Sequence, residues 1–143
     1  MTERRAEVTW NGSLLEGSGA IGATTSGAFG GLGITWKARS EDEHGGLTSP
    51  EELIAAAHAA CFSMALSSGL AKQGLPAEEL KTSAVVTFRP PDGIVKIALA
   101  VEGSVPGIDE DAFRAAAQAA KENCPVSKAL ASVPEITLAA NLR

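Results

Sequence analysis

The sequence predicts a single domain of mixed strands and helices built around one long helix, and three observations point there. The chain's 143 residues suffice for one core that buries about two-thirds of the unfolded surface, and are too few for two. An alanine-rich segment between Ser49 and Gln73 carries helix signals at both ends, and alternating apolar and polar runs flank it on either side. With 45% hydrophobic and 20% charged residues the composition is that of an ordinary globular chain, so one folded domain is expected over residues 1–143.

Each element has its own justification. Ala6 to Trp10 and Gly33 to Lys37 alternate and read as strands, with the Gly-rich stretch between them as hairpin turns. Arg39 then stands at the end of a strand, where an acidic loop, Ser40 to Thr48, begins. The long helix starts with Ser49 as cap, Pro50 at the first helical position and Glu52 to close a capping box, and it stops at Gly74 and Pro76. At about 100° per residue, Leu53, Ile54, Ala57, Cys61, Met64, Ala65 and Ser68 fall on one stripe centred on Cys61. Ala55, Ala56, Ala59 and Ala60 keep the other faces small, so a second backbone could approach closely. Thr82 to Arg89 and Ile94 to Val101 form a hairpin across Pro90-Pro91-Asp92-Gly93. Asp109 caps a second helix, with Ile108 and Phe113 at the spacing of a hydrophobic staple, and that helix ends near Asn123. Pro125 puts Cys124 at the cap of a short third helix, and a last strand lies around Glu135 to Ala139.

Several function classes are disfavoured at once. A net charge of −5, from 17 acidic and 12 basic residues without a basic run, gives no field to gather phosphates, so no nucleic acid partner is expected. The Gly17 to Gly33 segment lacks the GK[ST] and the strand-turn-helix context of a phosphate loop. No stretch approaches roughly 20 uninterrupted apolar residues, and Met1-Thr2-Glu3-Arg4-Arg5 leads into polar sequence, so no membrane span and a cytoplasmic location are expected. Two cysteines 63 positions apart and two histidines cannot build a zinc cluster, so no metal and no cofactor are expected.

What remains is thiol chemistry. Cys61 on an apolar stripe is either a small core residue or a nucleophile that needs an opposing cation, because a mid-helix site gains little from the helix dipole. Arg39, in the stretch feeding the helix, is the best-placed cation. Cys124, at the start of a helix, sits where a thiolate or a sulfur leaving group is favoured. His58 stands near Cys61 on the helix, but a Cys-His dyad is not favoured, because a lone His among small residues is more often hydrogen-bonded structure. Glu51, in the first helical turn, is favoured there by the dipole in any case.

The segment Thr48-Ser49-Pro50-Glu51-Glu52-Leu53-Ile54-Ala55-Ala56-Ala57-His58-Ala59-Ala60-Cys61-Phe62-Ser63-Met64-Ala65-Leu66 resembles the central-helix signature of the OsmC family of thiol peroxidases. Cys124-Pro125-Val126-Ser127 resembles the family's second cysteine motif, and Val105-Pro106-Gly107-Ile108-Asp109 its usual approach to the second helix. The organic hydroperoxide resistance branch carries Gly-Tyr where this chain has Ala57-His58 and an earlier arginine, and no arginine occurs here between Arg5 and Arg39. The chain therefore resembles the osmotically inducible OsmC branch, with Arg39 matching its arginine.

The resemblance implies an α+β fold in which antiparallel sheets wrap long central helices in an intertwined homodimer. It also implies a cycle. Cys61 attacks an organic hydroperoxide, or hydrogen peroxide, releases an alcohol and becomes a sulfenic acid; Cys124 captures it as a disulfide; a dithiol, dihydrolipoamide or a lipoylated protein, resets the enzyme. Arg39 would stabilise the thiolate and Glu51 would orient Arg39. Ten positions separate Glu51 from Cys61, about 15 Å along one helix, so the two are expected to serve one site from different copies of the chain. The competing reading is a non-catalytic module that binds a small hydrophobic ligand in the same apolar groove.

Overall fold

The computed structural model describes residues 1–143, which fold as two compact units, Met1–Leu53 and Ile54–Arg143. In the first unit β1 (Ala6–Asn11), β2 (Ser18–Thr24) and β3 (Gly33–Ile34) form an antiparallel sheet in the order β1-β2-β3. The Gly-rich stretch expected to be turns thus contributes a strand, β2. The strand expected over Gly33 to Lys37 is corrected: it ends at Ile34, and the chain turns into a short helix, α1 (Trp36–Ser40). Thr35 decides the change, because its hydroxyl accepts from the Ala38 N–H at 3.1 Å and caps the helix. Arg39 therefore lies on α1, not at a strand end. The unit buries few apolar side chains, Ile21 and Ala38, and leaves Val8, Trp10, Leu14, Leu15, Phe29 and Leu32 exposed.

The long helix, α2 (Pro50–Lys72), runs from the first unit into the second. Ser49 accepts from the Glu52 N–H at 3.1 Å as expected, but the reciprocal half of the capping box is replaced: Glu52 takes the Thr48 hydroxyl at 2.9 Å. At the other end Gly74, with φ of +76°, lets the Leu75 N–H reach the Leu70 carbonyl and its own N–H reach the Ala71 carbonyl, the paired bonds of a Schellman stop.

The expected stripe of α2 is corrected. The buried positions are Glu51, His58, Phe62, Leu66 and Leu70, while Ala56, Ala57, Ala60, Met64 and Ser68 are exposed and Cys61 lies half-buried at the border. In a helix apolar on every side, periodicity cannot select a face; the largest side chains do, and Phe62, Leu66 and Leu70 recur every fourth residue. An 18-residue window of α2 has a mean hydropathy of 1.5, so by length and composition it could cross a membrane, contrary to the expectation from uninterrupted runs. Those three side chains are instead packed into the second unit's core.

That unit is a three-stranded sheet, β4 (Glu79–Arg89), β5 (Gly93–Ser104) and β6 (Glu135–Leu142), covered by helices. The β4-β5 hairpin is antiparallel, whereas β6 joins β5 in parallel, because the chain crosses over through α3 (Glu110–Asn123) and α4 (Pro125–Ala129) before returning. Ile97, Leu99 and Val101 of β5 meet Phe62, Leu66 and Leu70 of α2 and Phe113, Ala117 and Ala120 of α3 in one core cluster. A β-carbon added at Gly103 would lie 2.6 Å from the Phe113 ring, so only glycine lets α3 seat so closely. Asp109 caps α3 by accepting from the Ala112 N–H at 2.8 Å.

Candidate active site

The four residues singled out from the sequence form two pairs. In the first unit α1 presents Arg39 and the first turn of α2 presents Glu51. Arg39 Nε donates to both carboxylate oxygens, at 2.9 and 3.2 Å, and Nη2 lies 2.8 Å from Oε1. This forked geometry fixes the plane of the guanidinium. Glu51 is all but sealed, its side chain keeping 8% exposure against 34% for Arg39. The predicted association of Glu51 with Arg39 is present within one chain. Beside it opens a cleft of about 340 Å³ lined by Trp10, Leu14, Ile34, Trp36, Pro50 and Arg39. An apolar surface was expected on the Cys61 stripe, whereas this cleft lies beside Arg39 and is built in part by tryptophans read only as strand residues.

In the second unit α2 carries Cys61 and the start of α4 carries Cys124. Both are free thiols, and they are hydrogen-bonded to each other. Cys61 is half-buried and Cys124 fully buried. Burial and the neighbouring Cys124 raise the pKa of Cys61, against a smaller opposing pull from the Val126 backbone. Burial by itself would raise Cys124 too, but hydrogen bonds from the Cys61 thiol and the Ser127 hydroxyl, together with the nearby Ser127 and Val126 backbone groups, outweigh it, and its pKa is lowered. No N–H of α4 closes a capping hydrogen bond on the sulfur, so the two backbone groups act through the proximity of their dipoles. The two thiols are therefore shifted in opposite directions, Cys61 upward and Cys124 downward, the reverse of an intrinsically acidic Cys61.

The hydrogen-bond partner of His58 is Ser127. The histidine is fully buried, and its Nε2 lies 2.7 Å from the hydroxyl of Ser127, with burial lowering its pKa. Ser127 was not singled out from the sequence, although its place three residues after Cys124, one turn into α4, was the available signal. No group of three or more His, Cys, Asp or Glu side chains is arranged to hold a metal ion.

Comparison with known proteins finds relatives over nearly the whole chain. The family model described as OsmC-like protein matches residues 43–139. The protein called peroxiredoxin OsmC in Escherichia coli (strain K12) is 43% identical over 138 residues, covering 94% of this chain and 93% of that one, and its Shigella flexneri counterpart matches equally. Among solved structures, the organic hydroperoxide resistance protein OhrB of Bacillus subtilis superposes with a TM-score of 0.64 at 26% identity, covering 97% of this chain and 98% of its own. An OsmC-like protein of unknown function from Vibrio cholerae superposes with a TM-score of 0.70 at 18% identity, covering 98% and 99%, and supports the α+β fold alone. With two free thiols in contact and a matching fold over nearly its whole length, the chain belongs to the OsmC family of thiol peroxidases.

Proposed function

We propose that this chain reduces organic hydroperoxides, and hydrogen peroxide as a smaller substrate, through a Cys61 sulfenic acid and a Cys61–Cys124 disulfide. The observation that carries the reading is the contact between a half-exposed Cys61 and a buried Cys124: one sulfur can meet peroxide and the other waits beside it. Cys61 thiolate attacks the distal oxygen, the O–O bond breaks, and protonation of the alkoxide releases an alcohol and leaves Cys61–SOH. Cys124 thiolate then attacks the sulfenic sulfur and expels hydroxide, which becomes water. Because burial and Cys124 raise the pKa of Cys61, the first step calls for a cation, and Arg39, held flat by Glu51, is the group suited to stabilise the thiolate and the departing alkoxide. The mostly apolar cleft that Arg39 helps to line suits an alkyl chain with a polar peroxide head.

The assignment includes a homodimer. The exposed Ala56, Ala57, Ala60 and Met64 face of α2 and the poorly filled core of the first unit both lack covering surface. In such a dimer the Arg39–Glu51 pair of one copy serves the cysteines of the other. A small dithiol, dihydrolipoamide or a lipoylated protein, resets the disulfide, and a reducing cytoplasmic setting fits that need. Non-catalytic binding of a hydrophobic ligand has the same cleft in its favour but leaves the contact between the two thiols without a role.

Two substitutions test the assignment. Cys61→Ser should abolish turnover, whereas Cys124→Ser should consume one equivalent of peroxide and then over-oxidise at position 61 to sulfinic or sulfonic acid, visible by mass spectrometry. Equal activity of the two variants with reductant present would show that neither thiol has the role given to it.

A further inference from the structure

His58 Nδ1 is buried without a hydrogen-bond partner in the chain, while Nε2 sits 2.7 Å from Ser127 Oγ. An orphaned lone pair costs less than an orphaned N–H, which assigns the proton to Nε2. His58 is then the donor to Ser127, and the Ser127 hydroxyl is left to donate to the Cys124 sulfur beside it. All three groups are buried, so water competes weakly for these bonds. Building on the disulfide cycle proposed above, we infer that His58 and Ser127 form a one-way donor chain onto Cys124 that makes Cys124 the sulfur expelled when the disulfide is reduced, so that the incoming dithiol attacks Cys61.

Access points the same way. Cys124 has 0% exposure, so a thiolate arriving from solvent has Cys61 as its target. The step balances. One thiolate of the dithiol bonds to Cys61 Sγ, the Cys61–Cys124 bond breaks, and its electron pair leaves on Cys124 as a thiolate that accepts the Ser127 hydrogen bond. The second thiol of the reductant, having lost its proton to solvent, attacks the mixed disulfide and frees Cys61, which takes up a proton. The dithiol is oxidised by two electrons and the protein disulfide is reduced by two. A leaving thiolate departs faster when its negative charge is stabilised, which is what the chain supplies. Ser127 touches the reacting sulfur, and His58 is a positioning residue that acts through Ser127.

The experiment uses the full-length chain with its disulfide closed by diamide, which needs no peroxide. Brief treatment with the monothiol 2-mercaptoethanol, an acid quench, alkylation with N-ethylmaleimide and peptide mapping should find the mixed disulfide on Cys61 and the maleimide on Cys124. In Ser127→Ala, reduction by dithiothreitol should slow by about tenfold, by the dependence of exchange on the leaving thiolate. The slowing of reduction in that variant should exceed any slowing of Cys61 oxidation by peroxide, a split that general loosening of the fold would not produce. Ser127→Thr, which keeps the hydroxyl, should recover the rate, and His58→Asn should slow reduction as Ser127→Ala does. A mixed disulfide on Cys124, or parent-like reduction in Ser127→Ala, overturns the inference, as does failure of diamide to close the disulfide. Closure by diamide but not by a hydroperoxide overturns the peroxidase reading alone.

Discussion

His58 contributes a pH dependence whose sign follows from its surroundings. Burial lowers its pKa below the ordinary value of 6.5, so the unfolded chain binds a proton more readily than the folded one as the pH drops past 6.5. Stability from this group is complete above 6.5 and falls on acidification until the folded pKa is passed, with a slope of at most about 1.4 kcal/mol per pH unit. The groups facing the ring's bonded edge, Ser127 and then Cys124, offer no carboxylate that would stabilise an imidazolium. Urea unfolding of the parent and His58→Gln between neutral pH and pH 5 should therefore give curves that converge as the pH falls. Parallel curves would mean that His58 takes up its proton as readily in the folded protein as in the unfolded chain. At this scale the sequence was informative about kinds of residue and poor about pairs. Cys61, Cys124, Arg39 and Glu51 were legible from a signature, whereas Ser127 was hidden in it, because a small hydroxyl one turn into a short helix is ordinary until a buried histidine is found against it.

Helix ends were the most legible elements, since caps depend on a few adjacent residues. Ser49, Asp109 and Gly74 act as their local chemistry dictates, each through hydrogen bonds with residues no more than five positions away. Ser49→Ala should cost about 1 kcal/mol and lower the melting temperature by about 2–4 °C, measured by calorimetry on the purified protein. A change within error would mean that the Thr48–Glu52 bond suffices to hold the start of α2. Elements set by longer-range partners were less legible. Strand β2 carries glycines and small residues that alone read as turn, and it is a strand because β1 and β3 pair with its two edges. The parallel direction of β6 follows from a crossover through two helices, a relation between elements that the alternation of a single strand does not encode.

At the scale of the whole molecule, the chemistry asks for more than either unit holds. The guanidinium and its carboxylate partner belong to Met1–Leu53, and the two thiols belong to Ile54–Arg143. Glu51 and Cys61 ride on one continuous helix, about 15 Å apart along its axis. A two-fold axis across the exposed alanine face would set the Glu51 end of one α2 beside the middle of the other, and the small side chains there permit a close approach. This arrangement makes a specific demand on mixed subunits. Glu51→Ala should lose most activity by freeing Arg39, and Cys61→Ser should lose all of it. When the two inactive proteins are unfolded together and refolded, a heterodimer holds one site with both intact partners, Glu51 from the Cys61→Ser chain and Cys61 from the Glu51→Ala chain. With random pairing about half of the dimers are mixed and each carries one working site of two, so activity should return to about a quarter of the parent level. Tagging one variant lets the heterodimer be purified and its turnover measured directly. Heterodimers that form and stay inactive would place Glu51 and Cys61 of each site on the same chain, and a parent that sediments as a monomer while turning over peroxide would remove the shared site altogether.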